Sequence, residues 1–172
     1  DVEPILPRFV GSHPLCGSEK TGVTHASADL FVGAACAVTP TEQSDAEAVA
    51  KVNEFWGALG GTLINLTAEA HDNIVARTSH LPHVVASALV NAILGKSHAG
   101  ESDFIGAGFA DTTRLASGSP EMWRDIALTN AEAIQKAIND LQNELGELKN
   151  ALASKDAAAL ENFFEEGKTS RD

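Results

Sequence analysis

Apolar and polar positions along the 172-residue chain change rhythm near residue 67. Before it, short apolar runs flank one amphipathic stretch. Residues 7–13 form an apolar run that ends in polar side chains, which predicts a buried strand. Residues 33–39 predict a second strand, stopped by Pro40, and residues 62–66 a third. Between these two, residues 41–57 open on the cap candidates Ser44 and Asp45 and carry Val49, Val52, Phe55 and Trp56 at helical spacing. Gly60 and Gly61 end that helix, and Trp56 is expected to pack the core. Strand, helix and strand joined by short turns is the rhythm of a parallel α/β unit.

After Leu66 the period becomes helical. Residues 69–94 read as helix with Pro82 inside; its missing N–H and its ring predict a kink or break near Leu81. Residues 95–102 read as a loop. Residues 104–119 are Gly-rich and then helical around 112–116. Ser119 and Pro120 predict a capped helix start. Ile134, Ile138, Leu141, Leu145, Leu148 and Leu152 then make a narrow apolar seam. Such a seam needs a partner stripe, from this chain or from a second subunit. Residues 154–166 predict a last amphipathic helix using Leu160, Phe163 and Phe164. The expected architecture is mainly α: an α/β segment over residues 1–67 and an all-helical segment over 68–172.

Charge narrows the partners. The net charge is −12 and the pI about 4.8. That balance argues against nucleic acid and anionic membrane surfaces. No apolar run approaches the roughly 20 residues that span a bilayer. The chain opens Asp1-Val2-Glu3-Pro4, unlike the basic start of a signal peptide, and without methionine. It reads as a processed or cut piece of a cytoplasmic protein. Cys16 and Cys36 make no disulfide framework and are expected to be buried free thiols.

Four segments could carry chemistry. Residues 12–22 follow a strand end, where open α/β sheets place ligands, and include His13, Ser18 and Glu19. His13 is either a general base or a hydrogen-bonded loop histidine. His80 and His83 are three apart and share a helix face; they bind substrate, hydrogen-bond structurally or, with a third ligand, hold metal. No H-E-x-x-H accompanies them, so no metal is expected. His71 reads as a cap or surface residue. Residues 106–114 fail as a dinucleotide fingerprint, because Asp111 replaces the third glycine and no strand precedes them. They instead present Asp111 and Arg114 at i and i+3, either as a surface pair or as a carboxylate clamp. Trp123 reads as core or interface.

Taken in order, seven segments resemble the prephenate dehydrogenase family of tyrosine biosynthesis, which includes arogenate and cyclohexadienyl dehydrogenases. They are His13–Gly22, Ala28–Ala34, Val38–Glu42, Ala70–Asp72, Ser79–His83, Gly108–Arg114 and Met122–Ile126. Together they cover roughly residues 8 to 165. The resemblance implies oxidative decarboxylation of prephenate to 4-hydroxyphenylpyruvate, with hydride transfer to NAD or NADP. It places the catalytic histidine on His13 and substrate contacts on Ser18, His83, Arg114 and Trp123. Arg114 would bind a carboxylate, while Glu19 and Asp111 would pair with it and gate entry. Cys16 departs from the family's common alanine, and Ala107 from a frequent glycine. The family's G-x-G-x-x-G loop is not in these residues, so the main cofactor loop is expected outside them. The helical half would be the family's dimerisation domain, which would give the seam a homodimer partner. Other readings are arogenate dehydrogenase, a non-catalytic helical dimerisation fragment, and a histidine-based metal hydrolase.

Overall fold

A computed structural model describes residues 8–17, 22–95 and 104–172. Pro7 and residues 96–102 of the expected loop lie outside these. The α/β segment forms a three-stranded sheet in the order β1-β2-β3, with β1 Gly11–Pro14, β2 Ala35–Thr39 and β3 Thr62–Asn65. β2 pairs in parallel with β3, as the pattern predicts, through α1 Ala46–Ala58. β1 starts later than its apolar run and pairs antiparallel with β2, with His13 opposite Ala37. Cys36, Ala37 and Val38 of β2 are all buried. A central strand buried on both faces needs no polar alternation.

Asp45 is the residue that caps α1, its side chain accepting from the Glu47 N–H at 2.8 Å. The turn after the helix holds Gly60, whose φ of 84° suits glycine best. Gly61 is fixed by space, since a Cβ there would lie 2.6 Å from Cys36 Sγ. Trp56 is half-buried; its Nε1–H donates to Ser12 Oγ at 3.0 Å, and it packs edge-on against Phe31 and Phe55. Cys36 is buried as expected, but Cys16 is only partly covered, because its loop leaves the sheet just after β1.

Thr67 caps α2 (Ala68–Val75), which packs on β2 and carries the chain into the helical half. The break expected near Leu81 takes a specific form. Residues Ala76–His80 make a wide π turn, and α3 (Leu81–Ile93) begins directly after it with Pro82 in its first turn. The proline therefore sits where its missing N–H costs least. α4 (Ala107–Thr113) runs into a tight 3-10 turn, Arg114–Ser117. α5 (Pro120–Thr129) starts where Ser119 Oγ accepts from the Met122 N–H at 3.4 Å.

α6 (Ala131–Ser154) has 24 residues, about 36 Å at 1.5 Å per residue. Its first turns pack inside the chain, with Ile134 and Ala137 buried. Further along the seam the chain covers less, and Leu145 and Leu152 are 52% and 58% exposed. α7 (Ala157–Arg171) folds back against α6 after a left-handed Lys155, with Asp156 as its cap. The last helix thus begins after Ser154, which remains inside α6, and runs beyond residue 166. Among the described residues, no helix is long and apolar enough to cross a membrane.

Candidate active site

The sheet and the helical half meet at His13. β1 presents its imidazole to α2, and His13 Nδ1 lies 2.9 Å from His71 Nε2. The second ring nitrogen of His71, Nδ1, lies 2.9 Å from Asp72 Oδ1. The two imidazoles meet edge to face at a centroid distance of 5.1 Å. His71 is therefore neither a cap nor a free surface group: Thr67 caps α2, and the His71 side chain is only 18% exposed.

A second thread leaves Asp72 through its backbone. The Asn130 side-chain amide donates to the Asp72 carbonyl at 2.8 Å and lies 3.3 Å from His80 Nδ1. His80 meets Trp123 edge-on at 6.1 Å. Trp123 stacks on His83, with centroids 3.6 Å apart and planes 16° off parallel. A contiguous series of contacts thus leads from His13 on β1 to the start of α5.

Burial holds three of these rings toward their neutral forms. His13 lies below the ordinary imidazole value, through burial first and the nearby charge of His71 second. His80 is lowered by burial and by the charges of His13 and His71, with Asp72 opposing. His83 is lowered by burial alone. A neutral imidazole can accept a proton, and an imidazolium cannot.

His80, His83, Ser87, Asn91, Gly118 and Trp123 help line a cavity of about 410 Å³. Trp123 Nε1 is buried there without an acceptor among the described residues. A buried N–H without a partner is costly, and a ligand oxygen would satisfy it. A larger hollow of about 720 Å³ lies between α2 and α6, lined in part by Glu69, Asp72, Glu132 and Lys136. Its three carboxylates disfavour an anion, and it contains no histidine.

The expected site residues are thus brought together only in part. His83 and Trp123 share one stack, and His13 is linked to them through His71, Asp72, Asn130 and His80. Arg114 and Asp111 are exposed, at the 3-10 turn and the end of α4, and do not line the cavity. Ser18 and Glu19 lie outside the described residues. The sequence pattern does not mark Asn130, and it reads His71 only as a cap or surface residue. The only local signal was the adjacent pair His71-Asp72, short enough to close a hydrogen bond between neighbours.

The sheet can also be tested as a dinucleotide site. In a parallel α/β unit the phosphates rest on the helix N-terminus after a strand. Here Asp45 occupies that position after β2 and already takes the Glu47 N–H. Its carboxylate would repel a phosphate. The N-terminus of α1 therefore does not fit the phosphates of such a cofactor. Among the described residues, no three His, Cys, Asp or Glu side chains converge as a metal site.

Known proteins share this arrangement of sequence and fold. Residues 1–65 match the prephenate dehydrogenase nucleotide-binding domain, and residues 67–166 the prephenate dehydrogenase dimerization domain. A cyclohexadienyl dehydrogenase of Zymomonas mobilis is 36% identical over 166 residues, covering 95% of this chain and 57% of that protein. A prephenate dehydrogenase of Bacillus subtilis is 34% identical over 180 residues, covering 99% of this chain and 47% of that protein. Aquifex aeolicus prephenate dehydrogenase, solved with hydroxyphenyl propionate and NAD+, superposes with a TM-score of 0.94 at 37% identity, covering 99% of this chain and 60% of that one. Synechocystis arogenate dehydrogenase superposes with a TM-score of 0.85 at 30% identity, covering 99% and 63%. The chain spans about half the length of these two curated relatives. With both domains of one family matched in order along it, the chain belongs to the prephenate dehydrogenase family.

Proposed function

We propose that this chain supplies the proton-accepting and substrate-binding groups of a prephenate dehydrogenase, which converts prephenate to 4-hydroxyphenylpyruvate and CO2. The observation that carries this reading is His13, held toward its neutral form at a strand end beside the helical half. NAD or NADP would supply the acceptor for the hydride of the substrate ring. His13 takes the ring hydroxyl proton as that hydride leaves, so that no unstable cation builds up. Arg114 binds a substrate carboxylate, with Asp111 and Glu19 setting access and Ser18 at the pocket edge. His83 and Trp123 form one wall. Their polar groups are an imidazole and an indole N–H that has no partner among the described residues. The indole N–H suits an oxygen acceptor such as the keto acid of prephenate and offers nothing to the ammonium group of arogenate.

In this reading Thr67 divides the nucleotide-binding segment from the substrate-binding and dimerisation segment. Two chains pair through their C-terminal helices, covering the open seam of α6. The test uses the full-length protein with prephenate or arogenate and with NAD or NADP. Replacing His13 with Asn should lower kcat by about 10²- to 10⁴-fold, the usual worth of a general base, with KM little changed. An unchanged kcat would remove His13 as the base.

A further inference from the structure

The contacts around His13 have a direction. A carboxylate only accepts hydrogen bonds, so Asp72 Oδ1 at 2.9 Å requires the proton of a neutral His71 to sit on Nδ1. His71 Nε2 then carries a lone pair. The ring 2.9 Å away must donate to it, so the proton of a neutral His13 sits on Nδ1. One nitrogen of His13 remains without a proton, and it is Nε2.

We propose that His71 and Asp72 are positioning residues that fix the tautomer of His13, leaving Nε2 as its open proton acceptor. The inference rests on the reading of His13 as the base. When Nε2 takes the substrate proton, His13 becomes an imidazolium with both nitrogens protonated. Its Nδ1–H still points at His71 Nε2, and the negative charge of Asp72 behind His71 steadies the new cation. Asn130 keeps this arrangement in place by holding the Asp72 carbonyl. The groups whose charges bear on the pair are Asp72 from α2 and His80 from the π turn. A cationic His71 would reverse the scheme: both of its nitrogens would donate, and the His13 proton would be forced onto Nε2.

The first test needs no turnover. Ring-nitrogen NMR of the chain labelled at histidine reads which nitrogen of His13 carries the proton. Nδ1–H is expected in the unmodified chain at neutral pH; Nε2–H would overturn the proposal. Asp72→Asn is the informative variant, because its amide can donate to His71 Nδ1 and so invert both tautomers. The residue is half exposed, so the fold should tolerate the change. The His13 proton should move to Nε2 in Asp72→Asn, and Asp72→Glu should restore it in part. A His13 tautomer indifferent to both changes would refute the proposal.

The second test uses the full-length enzyme. Asp72→Asn should lower kcat by about 10- to 100-fold with little change in KM, as loss of the correct imidazole tautomer disables a base. The acid limb of its kcat profile should move as well. The two arms separate the failures. If the NMR result holds but His13→Asn leaves kcat intact, the reading of His13 as base falls and the tautomer relay stands. If His13→Asn abolishes turnover while the tautomer ignores Asp72, the relay alone falls.

Discussion

His83 and Trp123 lie face to face at 3.6 Å, and Gly118 closes the edge of their stack. A Cβ on residue 118 would fall 2.6 Å from Trp123 Nε1 and 2.8 Å from His83 Cε1. The Gly118 backbone itself is ordinary, with φ near −67°. Space, not conformation, requires glycine here.

Gly118→Ala should therefore push the two rings apart. Overpacking of this kind costs about 1–3 kcal/mol, so a lower Tm is expected. Trp123 fluorescence should shift in a Trp56→Phe background, and the enzyme's KM should rise. An unaltered Tm and emission spectrum would mean that the stack is looser than its geometry indicates.

Loss of the Arg114 guanidinium should act mainly on binding. A charge-assisted pair is worth about 1.5–3 kcal/mol, so Arg114→Ala should raise KM about 10- to 150-fold. The kcat should change far less. A KM equal to that of the unmodified enzyme would exclude Arg114 as the carboxylate clamp.

Stability should depend on pH through the buried imidazoles. His13, His80 and His83 all lie below the ordinary 6.5 in the folded chain. Between those lowered values and 6.5, the unfolded chain binds more protons than the folded one. Stability there rises with pH and is lost as pH falls through the window. Chemical denaturation from pH 7 to pH 5 should show a falling midpoint. His83→Gln should flatten the slope, and a pH-independent midpoint would contradict these burial shifts.

The seam of α6 can be tested by charge. Leu145 is 52% exposed in the single chain, so an Asp there is tolerable in a monomer. In a dimer it would bury an unpaired carboxylate at a cost of several kcal/mol. Leu145→Asp should raise the dimer dissociation constant at least about 100-fold, read by sedimentation. A dimer that persists would show that the seam is not the interface.

Much of the fold was legible because its causes are local. Asp45, a candidate beside Ser44, and Ser119 announced helix starts through a side-chain oxygen close to a free N–H. Gly60 and Gly61 marked a turn that no larger residue fits so well. The candidate site was legible only as separate pieces. His13 and His83 stood out by residue type and, more sharply, by resemblance to a family. From the sequence His71 reads as a cap or surface residue, because nothing within a few positions shows what it faces. Its partner His13 is 58 residues away.

The sequence by itself determined the change from α/β to helix near residue 67, the capped helix starts at Asp45 and Ser119, the disturbance at Pro82 and the apolar seam of α6. Each follows from side chains within one or two turns of one another. The tertiary structure decided the rest. Antiparallel pairing of β1 with β2 places His13 beside α2. The fold also brings Trp123 onto His83 from 40 positions away, leaving an indole N–H without an acceptor among the described residues. Periodicity fixes which face of an element is apolar, but not which other element comes to cover it. The placement of His13 beside His71 and Asp72 arises only once β1 and α2 have packed.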